Sequence, residues 1–229
     1  MSTHIAKFPS LRHGDLVMNE YLTMRAFTAL LPDDPAVEVR IAGVEGFTDP
    51  ALVIKRFDRG AGGRRVHFEE FNQLLGRPSS AKYDGAHKEM ADFMRGTRGC
   101  WPTEIYRLYL RILGGLLVGN TDMHFKNFGL FHAPGGFRLT PSYDQVAAAL
   151  YGYKTVALAM GGAADRRWTT LRAKHLVRLG EEFGLSAAAI EMALAHLAKR
   201  KDAAAEAIGG AEFGTQRMKD DLIELVKKR

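Results

Sequence analysis

A short hairpin pattern interrupts the helical half of the sequence and restricts its fold more than any other feature. From Phe128 to Thr140 the residues read FGLFH-APGG-FRLT, which is two short apolar stretches around a Pro-Gly-Gly turn. If Phe128–His132 and Phe137–Thr140 pair as antiparallel strands, the residues that flank the hairpin meet at one end of it. Asn127 and Asp144 are therefore expected to lie close together.

The pattern of apolar residues divides the rest of the sequence into a mixed first part and a helical second part. The first part is predicted to hold strands over Thr3–Phe8, Val37–Val44 and Ala51–Phe57 and a helix over Leu16–Leu31. The stretch 76-GRPSSAKYDG-85 has the Gly, Pro and Ser content of a loop. Helices are then predicted over Glu104–Val118, Trp168–Phe183, Ser186–Arg200 and Phe213–Lys228. The fold class is therefore α+β.

Length, charge and cysteine content restrict the class of protein. A chain of 229 residues with 46% hydrophobic residues can bury a real core. Its 32 Lys and Arg against 26 Asp and Glu leave a net charge of +6, which favours an anionic partner only weakly. A single cysteine, Cys100, excludes a disulfide framework and favours the cytoplasm. The longest apolar run, 112-ILGGLLVG-119, is far shorter than the ~20 residues of a membrane span, so no membrane partner is expected.

Asp122 completes a group of three polar side chains around the hairpin, because it lies five residues before Asn127. Asp122 can accept a proton, while Asn127 and Asp144 offer oxygens, the ligands that Mg²⁺ prefers in proteins. A protein kinase catalytic loop has this order and this first spacing, with an Asp at the acceptor hydroxyl and an Asn and a second Asp at the metal. An Asp and an Asn five residues apart also cap helices and close turns. On these residues alone, both interpretations stay open.

Seven short motifs run in order along the chain from Thr3 to Gly162. They are 3-THIAKFP-9, 18-MNEYLTMRAF-27, 55-KRFDR-59, 67-HFEEFNQLLGRPSSAKY-83, 119-GNTDMHFKNFGLF-131, 138-RLTPSYDQVAAALY-151 and 158-LAMGG-162. Together they resemble the HipA-type toxin kinases, the Ser/Thr kinases of bacterial toxin–antitoxin modules. The resemblance implies a protein-kinase-like bilobal α+β fold, with a reduced N-lobe over residues 1–78 and a mostly helical C-lobe over residues 79–229.

The resemblance also implies roles for individual residues. Asp122 is expected to act as general base or to orient the acceptor hydroxyl, and Asn127 and Asp144 are expected to hold Mg²⁺. Lys7 is expected to meet the phosphates of ATP, with Glu20 orienting it. The residues expected to contact the nucleotide besides Lys7 are Lys55, Arg56, Phe57, His124, Phe125, Lys126, Asn127 and Tyr143. Without the resemblance, each residue keeps an ordinary structural explanation, such as a solvated strand lysine for Lys7.

One part of the kinase pattern is missing from the sequence. Members of this family cover the phosphates with a Gly/Ser-rich loop before the strand lysine, and only six residues precede Lys7. The chain is therefore expected to be a C-terminal kinase portion without the N-terminal subdomain. RGAGGRR, at Arg59–Arg65, lacks the glycine spacing of phosphate-binding loops and is predicted to be a turn. The eight histidines show no H-E-x-x-H motif and no convincing ligand spacing, so a zinc enzyme is not expected.

The expected function is that of a Ser/Thr protein kinase of a bacterial toxin–antitoxin module, which transfers the γ-phosphoryl group of ATP to a protein hydroxyl. The resemblance suggests an aminoacyl-tRNA synthetase as substrate and a helix-turn-helix antitoxin as partner, with DNA contacted only indirectly. A separate polypeptide that supplies the N-terminal portion is a further expected partner. The alternative is a pseudokinase that serves as a binding subunit with a DNA-binding antitoxin. The missing phosphate loop favours this alternative, and the retained site residues count against it.

Overall fold

The computed structural model describes residues 2–133 and 135–228. The strands in these residues are β1 (His4–Lys7), β2 (Val39–Ala42), β3 (Ala51–Lys55), β4 (Phe68–Glu70), β5 (Gly129–Ala133) and β6 (Gly136–Leu139). The α-helices are α1 (Leu16–Leu30), α2 (Phe71–Leu74), α3 (Lys88–Gly96), α4 (Pro102–Leu117), α5 (Ala173–Glu182), α6 (Ala187–Gly209) and α7 (Gln216–Lys228). Within the described residues, no helix combines the length and the apolar character needed to cross a bilayer.

The first sheet is antiparallel, with the strand order β1-β3-β2. Its central strand begins with four buried residues, 51-ALVI-54, because a strand with neighbours on both sides and packing on both faces reads as a continuous apolar run. The register places Lys7, the last residue of β1, opposite Leu52. The three predicted strands of the first part are confirmed, with ends shifted by one or two residues.

Helix α1 forms the centre of the molecule. Ten of its fifteen residues are buried, so it is covered on nearly every side rather than along one stripe. It packs against β3, against α4 and, most extensively, against α6. The predicted helix over Leu16–Leu31 is confirmed to within one residue. Because α1 crosses the core, its first turns carry side chains directly to the end of β1.

The predicted hairpin forms the second sheet together with a strand that the sequence did not indicate. β5 and β6 pair antiparallel, with Leu130 opposite Leu139, and β4 joins the other edge of β5. The FEE sequence of β4 has too few apolar residues for a strand signal, and pairing with β5 is what makes it extended. Pro134, in the predicted turn, lies outside the described residues. The predicted boundary between the two lobes, after residue 78, stays a prediction. β4 lies before this boundary, and its partner strand β5 lies after it.

The helical part differs from the prediction at several ends. Helix α3 was not predicted, since its nine residues are short and carry only three buried side chains. Residues Trp168–Thr170 form a 3₁₀ turn, and α5 begins later, at Ala173. Helix α6 continues to Gly209, beyond the predicted end at Arg200, because the alanine-rich stretch 201-KDAAAEAIG-209 favours helix. The helix over Pro102–Leu117 matches its prediction closely.

His87, at the start of α3, is fully buried and gives the fold a testable pH dependence. Burial lowers the pKa of its imidazole from 6.5 to about 4. The unfolded chain therefore takes up a proton between these pH values that the folded chain does not, and stability falls as the pH falls through this window. Below about pH 4 the loss reaches about 3 kcal/mol. Urea unfolding of the parent and of His87→Leu from neutral pH to about pH 4 should show a flatter profile for the variant; parallel profiles would contradict this account.

Candidate functional site

Three charged side chains from distant parts of the sequence meet at the end of β1. Lys7 Nζ donates hydrogen bonds to Glu20 Oε1 and Oε2, at 2.8 and 3.0 Å, and to Asp144 Oδ1 at 2.7 Å. Burial by itself would lower the pKa of Lys7, but the carboxylates of Asp144 and Glu20 raise it above its ordinary value. Burial raises the pKa of Glu20, and the ammonium of Lys7 opposes that effect. Lys7 is therefore a charged group fixed between two carboxylates.

Asp144 has an unusual backbone conformation and hydrogen bonds on both carboxylate oxygens. Its φ of 58° is the one positive value at a non-glycine position within residues 2–133 and 135–228. A residue in this region costs about 1–3 kcal/mol, and such residues cluster at functional sites. While Oδ1 accepts from Lys7, Oδ2 accepts a hydrogen bond from Asn127 Nδ2 at 2.7 Å. The predicted convergence of Asn127 and Asp144 at one end of the hairpin is confirmed.

Two buried asparagines, which were not predicted as site residues, hold the loop around Asp144. Asn19 Oδ1 accepts a hydrogen bond from the N–H of Ala147 at 2.8 Å, so α1 fixes the loop just beyond Asp144. Asn120 Nδ2 donates to Gln145 Oε1 at 3.0 Å and links this loop to the segment before Asp122. Both asparagines belong to the quoted motifs, directly beside Glu20 and close to Asp122. A buried polar residue inside a motif was the signal that could have identified them.

Asp122 is exposed, and its carboxylate is oriented by a tyrosine. Tyr83 donates a hydrogen bond from its hydroxyl to Asp122 Oδ1 at 2.9 Å, while the N–H of Asp122 donates to Asn120 Oδ1 at 3.0 Å. Burial and the bond to Asp122 raise the pKa of Tyr83 to about 12, so its hydroxyl keeps its proton. The sequence did not indicate this role, because Tyr83 lies 39 residues before Asp122.

His124 is buried two residues after Asp122, and its ring contacts Lys82 and Tyr83. Its Nε2 lies 2.9 Å from Lys82 Nζ, and its ring lies 5.2 Å from the ring of Tyr83. Burial lowers the pKa of His124, and Asp122 opposes this effect while Lys82 adds to it. The backbone N–H of His124 donates a hydrogen bond to Asn127 Oδ1 at 2.9 Å. His124 therefore supports Asn127 through the backbone, in a turn where Asp122 and Asn127 are both fixed.

A cavity of about 330 Å³ opens beside Lys7, and its lining combines three aromatic side chains with aliphatic and charged ones. The ring of Phe57 lies 4.9 Å from that of Phe68 and 5.5 Å from that of Tyr143, measured between centroids. Tyr143 donates from its hydroxyl to the carbonyl of Lys126 at 2.8 Å. The predicted residues Phe57, Lys126 and Tyr143 therefore line one cavity, whose flat apolar walls suit a planar ring.

The other residues predicted to contact a nucleotide are placed less directly. Lys55 and Arg56 line the same cavity, but their side chains pair with Glu38 and Asp58. Their backbone N–H groups are also paired, with the carbonyls of Glu38 and Thr3. Phe125 is completely buried, and neither it nor His124 lines this cavity. The structure thus brings the side chains of Phe57, Lys126 and Tyr143 to the cavity and leaves the rings of Phe125 and His124 away from it.

A second cavity, of about 760 Å³, lies on the other side of the Lys7–Asp144 pair. Lys7 and Asp144 line both cavities, and the second one also contains Asp122, Asn127 and Tyr83. An elongated ligand that begins among the aromatic rings would therefore pass Lys7 and Asp144 before it reaches Asp122. The two cavities therefore present three kinds of group in order: aromatic side chains, the charged Lys7–Asp144 pair and the exposed carboxylate of Asp122.

The groups around Asp144 fit a hard divalent cation. Such ions take oxygen ligands, and Mg²⁺ in particular uses one or two protein groups and completes its shell with water and phosphate. The Asn127 side chain donates from Nδ2 to the Asp144 carboxylate, and its Oδ1 accepts from the N–H of His124. One ion can therefore bind both residues when the Asn127 amide turns its oxygen towards Asp144. The Asp144 side chain is 40% exposed, which leaves room for further ligands. A carboxylate and an amide at a strained position are a donor set of the kind that Mg²⁺ takes.

Comparison with known sequences finds a HipA-like domain family and several kinases. Residues 1–205 match the family model described as the HipA-like C-terminal domain. The chain is 30% identical over 221 residues to the serine/threonine-protein kinase toxin HipA of Shewanella oneidensis, covering 87% of this chain and 49% of that protein. It is 32% identical over 167 residues to the putative kinase Y4mE of Sinorhizobium fredii, covering 69% of this chain and 39% of that protein. The chain therefore spans about half, or less, of these relatives.

Comparison with solved structures supports the α+β kinase-like fold predicted from the sequence. The toxin HipA of Shewanella oneidensis MR-1, in a complex with HipB and operator DNA, superposes with a TM-score of 0.75 and 25% identity over 99% of this chain and 58% of that chain. The Helicobacter pylori proinflammatory kinase CtkA superposes with a TM-score of 0.73 and 13% identity over 98% of this chain and 82% of that chain, a likeness of fold alone. With the family model matched over residues 1–205, the chain belongs to the HipA-like C-terminal domain family, and it is a distant homologue of the HipA toxin kinases.

Proposed function

We propose that this chain is the kinase portion of a Ser/Thr protein kinase that transfers the γ-phosphoryl group of ATP to a protein hydroxyl. The observation that carries the proposal is the joined set Glu20, Lys7, Asp144 and Asn127, in which each side chain contacts the next within 3.0 Å. These residues come from a strand, a helix, a hairpin end and a loop. A solvated lysine or a simple turn would not require this convergence.

The residues divide the work of binding and reaction between the two cavities. The aromatic walls formed by Phe57, Phe68 and Tyr143 hold the adenine ring. Lys7, oriented by Glu20, contacts the phosphates. Asp122 faces the acceptor hydroxyl and accepts its proton while the new bond between oxygen and phosphorus forms and the bond to the ADP oxygen breaks. Tyr83 keeps the Asp122 carboxylate in one orientation.

Asn127 and Asp144 would hold Mg²⁺. Backbone or supporting contacts around the nucleotide are proposed for five further residues: Lys55, Arg56, His124, Phe125 and Lys126. Bound Mg²⁺ supplies neutralisation of the charge on the phosphate oxygens. The protein's own contribution is to fix these groups before the ligand arrives. In a site partly closed to water, such fixed charges act more strongly than they would in bulk solvent.

The proposed biological setting is a toxin–antitoxin module in the cytoplasm. The related toxin of Shewanella oneidensis has been solved with HipB and operator DNA, which supports an antitoxin as partner here. We propose a helix-turn-helix antitoxin that carries the DNA contact and an aminoacyl-tRNA synthetase as the protein substrate. Because the matched region is only 39% of one relative and 49% of the other, a further N-terminal portion is proposed to complete the phosphate side of the site.

The test of the proposal is calorimetric titration of the 229-residue chain with ATP in the presence and absence of Mg²⁺. We expect binding at one site that strengthens when Mg²⁺ is present. Phosphoryl transfer is then followed with γ-labelled ATP, for the chain alone and for the chain mixed with the remaining part of a family member as a second polypeptide. Absence of metal-dependent ATP binding would favour the pseudokinase alternative over the kinase.

A smaller effect is expected at Tyr83. In Tyr83→Phe the carboxylate of Asp122 loses one orienting hydrogen bond, so kcat should fall by about two- to tenfold while KM for ATP stays the same. Steady-state transfer kinetics measure both values. Tyr153→Phe is the matched control, because Tyr153 lines the same cavity and binds Thr121 through its backbone carbonyl. A raised KM for ATP with unchanged kcat would place Tyr83 in nucleotide binding instead.

A further inference from the structure

His67, Glu69 and His132 form a cluster on the second sheet, away from the residues discussed so far. Nε2 of His132 lies 2.8 Å from Glu69 Oε2, and Nε2 of His67 lies 3.8 Å from the same oxygen. The two imidazole rings meet edge to face with their centroids 4.7 Å apart. One potential ligand atom from each residue lies within 4.8 Å of the other two.

The pairing of β4 with β5 explains how this cluster forms. Phe68 opposes Phe131 in the antiparallel register, so His67 and His132 continue the ladder as the next opposed pair. The N–H of His132 donates to the carbonyl of His67 at 3.4 Å, which supports this pairing. Glu69 is two residues after His67, so its side chain lies on the same face. Phe68 alternates to the other face, where it packs on Phe57.

The close approach of His132 to Glu69 does not account for the third member of the cluster. The side chain of His67 is 68% exposed, so it could extend into solvent. It nevertheless turns towards the same carboxylate oxygen and packs against the His132 ring. Three groups that each carry an electron pair therefore point at one spot on the protein surface. A shared cation gives all three a common partner.

We propose that the His67–Glu69–His132 cluster binds a divalent transition metal ion, with Zn²⁺ as the expected ion. Two imidazoles and one carboxylate are a ligand set suited to zinc and related metals, whereas Mg²⁺ prefers oxygen ligands alone. Zinc bonds of about 2.0–2.2 Å in tetrahedral geometry place neighbouring ligand atoms about 3.3–3.5 Å apart. The distances of 2.8 and 3.8 Å lie on both sides of this range, and all three ligand atoms lie within 4.8 Å of one another, so side-chain rotations would bring them to this spacing. The exposed face leaves the fourth position to water or to a further ligand.

The local sequence could not reveal this site. Its ligands lie on, or directly before, two strands that are far apart in the chain, and one of the strands has no recognisable strand pattern. The site is also unlike the expected magnesium site in its ligand atoms, because nitrogen dominates here and oxygen there. A bound ion would join β4 to β5 by a bridge between side chains. Thermal stability should therefore respond to the ion.

The direct test is calorimetric titration of the metal-stripped, untagged chain with ZnCl₂ in the presence of excess Mg²⁺. We expect one site with a micromolar Kd. His67→Gln and His132→Gln should each weaken binding by at least about tenfold. His4→Gln, at another exposed histidine, is the matched control and should bind as the parent does. Asp144→Asn should also keep the site, which separates it from the oxygens around Asp144.

Thermal unfolding provides a second measurement on the same proteins. Zn²⁺ should raise the unfolding midpoint of the parent and of His4→Gln, and the rise should be absent in His67→Gln. Circular dichroism checks that each variant is folded without metal, as expected for exposed positions. If the parent binds Zn²⁺ only at millimolar concentration, or if His67→Gln and His132→Gln bind it as tightly as the parent, the proposal is overturned.

Discussion

Asp144→Asn is expected to abolish the Mg²⁺ dependence of ATP binding and to lower phosphoryl transfer by about 10²–10³-fold. The substitution keeps the shape of the side chain but removes the negative charge that a cation requires. Asparagine, like aspartate, tolerates the left-handed backbone conformation at this position better than most residues that carry a side chain, so the fold should be retained. Calorimetric titration with ATP, with and without Mg²⁺, measures the effect directly.

The control for this variant is Glu224→Gln, which makes the same charge change at an exposed carboxylate that is also paired with a lysine, Lys228 of α7. ATP affinity and its Mg²⁺ dependence should be unchanged in Glu224→Gln. If Asp144→Asn binds ATP with the same Mg²⁺ dependence as the parent, the metal site lies elsewhere and the proposed roles of Asn127 and Asp144 fail together.

Asp122→Asn is expected to lower the rate of phosphoryl transfer by about 10²–10⁴-fold, the usual contribution of a general base. ATP affinity should stay the same, because Asp122 bonds to Tyr83 and Asn120 rather than to Lys7 or Asp144. The asparagine amide oxygen still accepts the hydrogen bond of Tyr83, so the loop keeps its support. Single-turnover transfer of labelled phosphate, with ATP affinity measured in parallel, separates the two quantities.

Asp84→Asn provides the control for Asp122, since Asp84 lines the same cavity and carries the same charge. Its transfer rate should match that of the parent. An Asp122→Asn protein that transfers phosphate at the parental rate would remove Asp122 from the chemistry. The two aspartates thus give different signatures: one variant loses metal-dependent binding and transfer, and the other loses transfer alone.

The sequence was informative where one local pattern decides the outcome. The helix at Leu16–Leu30 and the hairpin strands β5 and β6 follow directly from apolar spacing and turn residues. The order of the motifs gave the family and the individual positions of Lys7, Glu20, Asn127 and Asp144. The hairpin pattern also predicted that Asn127 and Asp144 meet at one end of the hairpin, because this step needs only antiparallel pairing of its two strands.

Features that depend on tertiary contacts were not accessible from the sequence. β4 is extended because β5 is beside it, and the FEE sequence has no strand pattern of its own. The bond between Tyr83 and Asp122 joins a loop to a distant turn, and neither segment specifies the other. The direct contact of Lys7 with Asp144 likewise depends on how α1 and β1 are positioned in the folded chain. Such pairings arise from packing of the whole core rather than from any local preference.

The double occupation of the Asp144 carboxylate affects how ligands enter the site. Lys7 holds one oxygen and Asn127 holds the other, so both oxygens of this carboxylate are already engaged in the free protein. A phosphate group that draws Lys7 towards itself releases a carboxylate oxygen, and a cation that takes the carboxylate releases Lys7. Each ligand therefore removes the competitor of the other, and the two binding equilibria reinforce each other. Nucleotide and cation should enter as a cooperative pair, with each weakly bound alone.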